Sequence, residues 1–271
     1  MIKIFRCMKK DKTTAVCTAP SRANASMPER ANQRFNHELD NFKRGTHKGL
    51  LHLGEPSICM IAAGIVVEEL TMSPNVLNRK LKQHKLTTED LKGLVKALKK
   101  PILIYKHKGS HSYVAVVVTD KSIGNTRLSA AFRLDFQGNV LSIDNVASIH
   151  QKIAAQELER LNRMKDDIEF KWIEKEKVQK WGFVSLNRDR QSDNSEPFSI
   201  TKIMEKFENP KCPSKFPTKI NGIRLTVRQK ETLLSGNAIY LPSNTEPDKI
   251  IRIKMRDNGE LKLTPTASFC N

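Results

Sequence analysis

The apolar period changes at Pro101, and that switch constrains the fold more than any other feature of the chain. Upstream the period is helical. Ser73-Pro74 offers an N-cap followed by proline in the first helical position, and Leu77 and Leu81 share one face of a helix running to about Gln83. Thr87 with Asp90 forms a capping-box pattern, with Asp in place of the usual Glu, and Leu91, Leu94, Val95 and Leu98 then make an apolar stripe. Lys99 and Lys100 suit the negative end of that helix, and Pro101 stops it. Downstream, Ile102–Lys106 and Tyr113–Thr119 are β-rich runs joined by HKGSHS, a hairpin-like loop containing Gly109. Arg127–Leu134 reads as a third strand, Phe136-Gln137-Gly138-Asn139 as a turn and Val140–Ile143 as a fourth strand. Capped helices followed by hairpin-connected strands imply an α+β chain, a helical N-terminal part packed on a small antiparallel sheet.

The flanking segments set the expected domain organisation. Residues 1–33 lack periodicity and read as a basic, poorly ordered arm. A main domain is expected over 34–186. It opens with a short amphipathic helix carrying Phe35, Leu39 and Phe42, followed by the turn-like LLHLGEPS and by Ile58–Val67, apolar on most sides. It continues through a helical stretch from Ile149 to Met164, a strand from Ile168 to Ile173 and a short charged helix from Glu174 to Trp181. Residues 187–199, centred on NRDRQSDNSE, read as a polar linker. Residues 200–271 form a second small α+β unit. Its signals are a helix from Ile200 to Phe207, another opening at Thr226 with Gln229 in the capping-box position, and two strands paired across Asp257-Asn258-Gly259.

Charge bounds the partners. The net charge is +18, and residues 1–46, 47–150 and 201–271 each carry an excess of six basic residues while 151–200 carry none. A field spread so widely attracts polyanions, so nucleic acid is the expected partner, against the plainer reading of a solvated lysine-rich surface. No run of eighteen apolar residues exists, and the N-terminal MIKIFRCMKKDK puts charges where a signal peptide needs an apolar stretch; a cytoplasmic protein without a membrane segment is expected. Cys7, Cys17, Cys59, Cys212 and Cys270 form no CxxC pair, so neither a zinc ribbon nor a disulfide framework is supported.

Metal-independent RNA cleavage needs a base for the 2′-OH, an acid for the leaving oxygen and groups that stabilise charge on the phosphorane. Histidine suits the first two roles, and lysine and serine the third. His84 follows a helix among Lys80, Lys82 and Lys85 and is expected to point toward solvent. His107 and His111 flank Gly109 beside Lys106 and Lys108, and Ser148 and His150 fall where the last strand meets a helix. Each has a plainer reading as an exposed turn, a basic hairpin tip or a helix cap. No GxxxxGK[ST], HExxH or GxSxG motif occurs, so no cofactor and no metal site is expected.

The order RFNHELDNF, LGEPS with AAGI, MSPNVLNRKLKQHKLTTEDL, KKPILIYK, NVASIH and IEFKWIEKEKVQKW resembles the MuF C-terminal domain of phage and mobile-element proteins, over about Phe35 to Trp181. That family is grouped with proposed nucleases of the barnase, EndoU, RelE and colicin type. The resemblance implies a metal-independent ribonuclease-like protein, a toxin being one form, with RNA as favoured partner and an inhibitor or scaffold protein as a second. The family's histidine falls on His84, with Gln83 where the family carries lysine; its serine falls on Ser148, with Val146 and His150 as departures. Its following lysine falls on Lys152, and its final Lys-to-Trp pattern on Lys177 and Trp181. The roles assigned on the residues and the resemblance together are acid/base chemistry for His84, a phosphate hydrogen bond from Ser148, and charge stabilisation by Lys106 and Lys152. His107, His111, His150 and Lys177 stand as secondary candidates. The departures keep open a non-catalytic nucleic-acid-binding or scaffolding protein with a degenerate nuclease-like fold. NGIRLTVRQKETLLSGNAIYL is similar to a small mobile-element domain of unknown function from Bacteroidetes, which implies an accessory role.

Overall fold

The structure is a computed structural model that describes residues 27–119, 128–148, 159–180, 200–213, 216–217, 219–246 and 249–266. The linker expected at 187–199 and most of the expected N-terminal arm lie outside the described residues. Helix α1 (Met27–Lys43) is followed by β1 (Leu51–Gly54), α2 (Ile58–Ala62), β2 (Leu70–Met72), α3 (Pro74–His84) and α4 (Thr88–Leu98). Five strands come next, β3 (Leu103–His107), β4 (Tyr113–Val118), β5 (Leu128–Leu134), β6 (Asn139–Ser148) and β7 (Ile168–Ile173). Helices α5 (Lys175–Lys180) and α6 (Ile200–Lys206) then lead to the C-terminal unit. It holds β8 (Lys219–Ile220), β9 (Ile223–Arg224), α7 (Val227–Leu234), β10 (Ala238–Pro242), β11 (Ile250–Met255) and β12 (Leu261–Thr266).

The fold is α+β. The sheet is larger than expected, with seven strands in the order β1-β2-β6-β5-β4-β3-β7, and it is mixed, because β2 pairs parallel with β6. Strands of four and three residues show too little alternation to be read from sequence, so LLHLGEPS looked like a turn although Leu51 and Leu53 are buried in β1. Glu38 of α1 pins that edge. It accepts from the His52 N–H at 2.6 Å, pairs with the His52 imidazole at 2.9 Å and accepts from Arg34 Nε at 2.8 Å. Burial pushes the Glu38 carboxyl up, but the His52 and Arg34 contacts outweigh it and hold the carboxyl below its usual range.

Both faces of the sheet are covered. On one face Ile104, Ala115, Val117, Phe132 and Ile143 pack under α1, α3 and α4, which contribute Phe35, Leu39, Leu77 and the Leu91, Leu94, Val95, Leu98 stripe. On the other, Leu103, Tyr105, Val114, Val116 and Phe170 meet Leu161, Val178 and Met204 of α6. This is the strand period of two at work, since consecutive residues of β3 and β4 enter different cores. A third cluster, with Leu225, Leu233, Ile239, Leu241 and Ile253, belongs to the C-terminal unit.

The helix caps follow the sequence signals. The Ser73 hydroxyl accepts from the Val76 N–H at 3.3 Å. Thr87 Oγ1 accepts from the Asp90 N–H at 3.2 Å while the Asp90 carboxylate accepts from the Thr87 N–H at 2.8 Å, completing a capping box. Thr87→Ala is expected to cost about 1 kcal/mol in urea unfolding, with Thr87→Ser near wild type. Equal losses in the two variants would rule out the cap as the cause.

Candidate functional site

The hairpin β3–β4 ends in a corner where helical and strand elements leave a concavity. Lys106, two residues beyond Ile104, projects on the face covered by α1, α3 and α4, and Tyr113 faces the same way from β4, directly opposite Lys106 in register. His111 lies on the hairpin loop. Across from them runs the segment Gly64–Val67, and the β5–β6 turn closes the third side with Asp135 and Phe136. Together these residues enclose about 170 Å³.

Hydrogen bonds fix the walls. The Tyr113 hydroxyl donates to the Gly64 carbonyl at 3.0 Å, tying hairpin to segment. Burial pushes that phenol above its usual value, offset in part by Lys171. Asp135 is committed to its own turn, accepting from the N–H groups of Gln137 and Asn139 at 2.8 Å and from Asn139 Nδ2 at 2.9 Å. Its carboxylate is therefore a structural acceptor.

The corner is positive. Lys106 Nζ lies 3.9 Å from Glu169 of β7, and Lys171 pairs with the same carboxylate. The hydrogen bond from Lys171, joined by the charges of Lys106 and Lys108, holds Glu169 below the usual carboxylate range. Three lysines thus surround one acid, an excess that an incoming anion can use.

The other sequence candidates fall elsewhere. His107, next to Lys106, projects to the opposite face, where its ring meets Tyr105 edge-on at 6.0 Å; the Tyr105 hydroxyl accepts from Arg160 at 2.7 Å. His84 closes α3, which lies along β6, where Arg79 Nη2 donates to the Leu141 carbonyl at 3.3 Å. Its Nε2 does not face solvent as expected. That atom is buried and meets no hydrogen-bond partner among the described residues. Leu81 and Leu86, which flank the helix end, pack on the main core, and the His84 residue as a whole is half-buried.

Ser148 ends β6 opposite Leu128, whereas Lys106 shares its row with Tyr113 and Leu134. Six residues of β5 separate those rows, about 20 Å along the sheet, and β6 lies three strands from β3, about 14 Å across it. The backbones of Lys106 and Ser148 are thus too far apart for both side chains to hold one phosphate. Lys177 lies half-buried on α5. Lys152 and His150 lie outside the described residues. Tyr113 and Phe136 were not picked out from sequence; strand pairing and the packing of the turn bring them to the concavity, and Lys171 stands near it through Glu169. Among the described residues no three His, Cys, Asp or Glu side chains converge as metal ligands would, and no helix is long and apolar enough to cross a membrane.

An α+β scaffold with a basic corner beside a β-hairpin is the class of protein these features define. Residues 75–180, from α3 through α5, match the family model of the phage MuF-C-terminal domain, the family that the order of motifs resembles. The match makes that stretch similar to a phage domain family. Helix α1 and β1, outside the matched stretch, complete its core through Phe35, Leu39, Leu51 and Leu53. No curated protein and no solved structure matches the chain.

Proposed function

We propose that this protein binds RNA through the corner formed by Lys106, Lys108, Lys171, His111 and Tyr113. The observation that carries the reading is the convergence of Lys106 and His111 on one concavity in a chain of net charge +18. Lysine supplies the phosphate contact and the release of counterions, and a concave wall supplies shape. An accessory role for the C-terminal unit fits its attachment beside α2, through the contacts of Lys230 and Arg224 with Glu55.

A second reading is metal-independent cleavage at the same place. Its support is the imidazole of His111, whose ring nitrogens can donate or accept a hydrogen bond, beside a lysine able to stabilise an oxyanion. In that reading His111 is the acid/base group, in place of His84 with its buried Nε2.

Labelled RNA in EDTA separates the two. Binding alone predicts intact RNA, with affinity falling steeply as salt rises and weakened about fivefold by Lys106→Ala. Cleavage predicts cyclic-phosphate ends that disappear in His111→Ala and persist in His84→Ala and Ser148→Ala. Activity lost in His84→Ala with the fold intact would move the chemistry to α3. An affinity for RNA unaffected by Lys106→Ala would remove the corner as the binding site.

A further inference from the structure

Phe136 is 68% exposed, the most exposed of the large apolar side chains among the described residues, and it lines the same concavity as Lys106 and His111. A single exposed aromatic needs no explanation by itself. This one is different because the turn that presents it is held on every side. Gly138 N donates to the Asp135 carbonyl at 3.2 Å, and Asp135 N to the Asn139 carbonyl at 3.0 Å, while the Asp135 carboxylate takes the N–H groups of Gln137 and Asn139. The turn is then fastened to β2: the Thr71 N–H donates to the Gly138 carbonyl at 3.1 Å and Thr71 Oγ1 to Asn139 Oδ1 at 2.7 Å. An aromatic on so fixed a turn loses little backbone freedom when a ligand covers it.

The concavity is also small. At about 170 Å³ it falls below the roughly 300–1,000 Å³ of pockets that engulf a whole drug-sized ligand. It accommodates one flat ring with its edge against polar groups, while the remainder of the ligand stays outside. Phe136 offers such a ring an apolar face, and Tyr113 and His111 offer polar edges. Lys106 lines another wall and shares its neighbour Glu169 with Lys108 and Lys171, so a charged group attached to the ring would come to rest near these lysines.

We propose that this concavity is a nucleobase site, in which an unpaired base of single-stranded RNA stacks on Phe136 while Lys106 and its neighbouring lysines hold the adjoining phosphate. The proposal rests on the RNA-binding reading above and adds to it the demand that the strand be single. In a duplex the base faces are already stacked on one another and are not free to stack on Phe136. Stacking on an aromatic tolerates any base, so little sequence preference is expected.

The test compares three fluorescent probes of equal phosphate number: a single-stranded oligoribonucleotide, an abasic oligomer and an RNA duplex. Each is titrated by anisotropy with the full chain and with Phe136→Ala, Phe136→Trp and Lys106→Ala. Phe136→Ala should bind the single strand about tenfold more weakly, the effect of losing one stacked base, and the abasic oligomer and the duplex unchanged. Phe136→Trp should restore the single-strand affinity, with its emission quenched by that probe and not by the abasic one. Should Phe136→Ala fail to fold, the quenching alone decides. Wild-type affinity for the single strand in Phe136→Ala, with Lys106→Ala weakened on all three probes, overturns the base site and leaves the RNA-binding reading standing. Absence of binding to every probe at low salt overturns both.

Discussion

Glu55→Ala is expected to destabilise the protein by about 3 kcal/mol in urea unfolding and to release the C-terminal unit to protease first. Glu55 follows β1, and its carboxylate receives Lys230 Nζ of α7 at 2.8 Å and the guanidinium of Arg224. A third cation, Lys99 at the end of α4, donates to the Glu55 backbone carbonyl at 2.7 Å. Burial pulls the Lys99 amine down to about 8, against the opposing pull of Glu55 and Glu69. The Lys230 side chain is only 5% exposed, and Glu55 is 25% exposed. Removing the carboxylate leaves Lys230 buried without a counter-charge, with two more cations close by, and such an uncompensated charge costs roughly 3–5 kcal/mol. The low end applies because Glu55 is partly open to solvent, and Arg224, 54% exposed, contributes little to the total.

The pH dependence has a definite sign. Burial alone raises the Glu55 carboxyl, but Lys230 and Arg224 outweigh burial and hold it below its ordinary value. Its contribution is thus complete above the ordinary carboxylate range, near pH 4 to 5, and lost as pH falls through the lowered value of the folded state. Wild type should lose more stability than Glu55→Ala between about pH 5 and pH 3. Parallel curves for the two proteins, or a loss under about 0.5 kcal/mol at pH 7, would show that the clamp does not hold the two parts together.

Those contacts lie beyond what the sequence could disclose, and the contrast with the helix caps shows why. Ser73 with Pro74, Thr87 with Asp90 and Thr226 with Gln229 are local patterns, and each is present as a cap because the groups involved are three residues apart. Glu55 and Lys230 are 175 positions apart, with no pattern linking them. The strands from Leu103 to Leu134 were legible through their β-rich composition, whereas β2 has three residues and joins β6 in parallel, a pairing set by topology. Half of the candidate site was legible, since Lys106 and His111 flank one hairpin loop. Phe136 was visible as part of a turn, but its place in the concavity depends on what Gly138 touches. His84 is half-buried with its Nε2 out of solvent, and lysines on neighbouring positions say nothing of the direction a ring takes.

Gly138→Ala is the second large effect, at roughly 2–4 kcal/mol, and it should reach the site as well as the fold. Gly138 has φ +83°, a conformation that costs any L side chain. An added Cβ would stand 2.6 Å from Val67 Cγ2 and 3.0 Å from the backbone carbonyl oxygen of Glu69. The Val67 side chain can shift a little, but the carbonyl belongs to the chain entering β2 and moves only with it. Relief must come from the turn lifting away, which breaks the Thr71 N–H bond to the Gly138 carbonyl and carries Phe136 off the wall formed by Gly64–Val67. Gly109 supplies the control. Its φ of +74° is nearly the same, yet an added Cβ there meets nothing within 4 Å. Gly109→Ala should therefore cost only the backbone penalty, about 1 kcal/mol. Urea unfolding of both variants measures the difference, and single-strand affinity reads the displacement of Phe136 in Gly138→Ala. If the two alanines cost the same, close packing of the turn against Val67 and Glu69 is not what holds Phe136 in place.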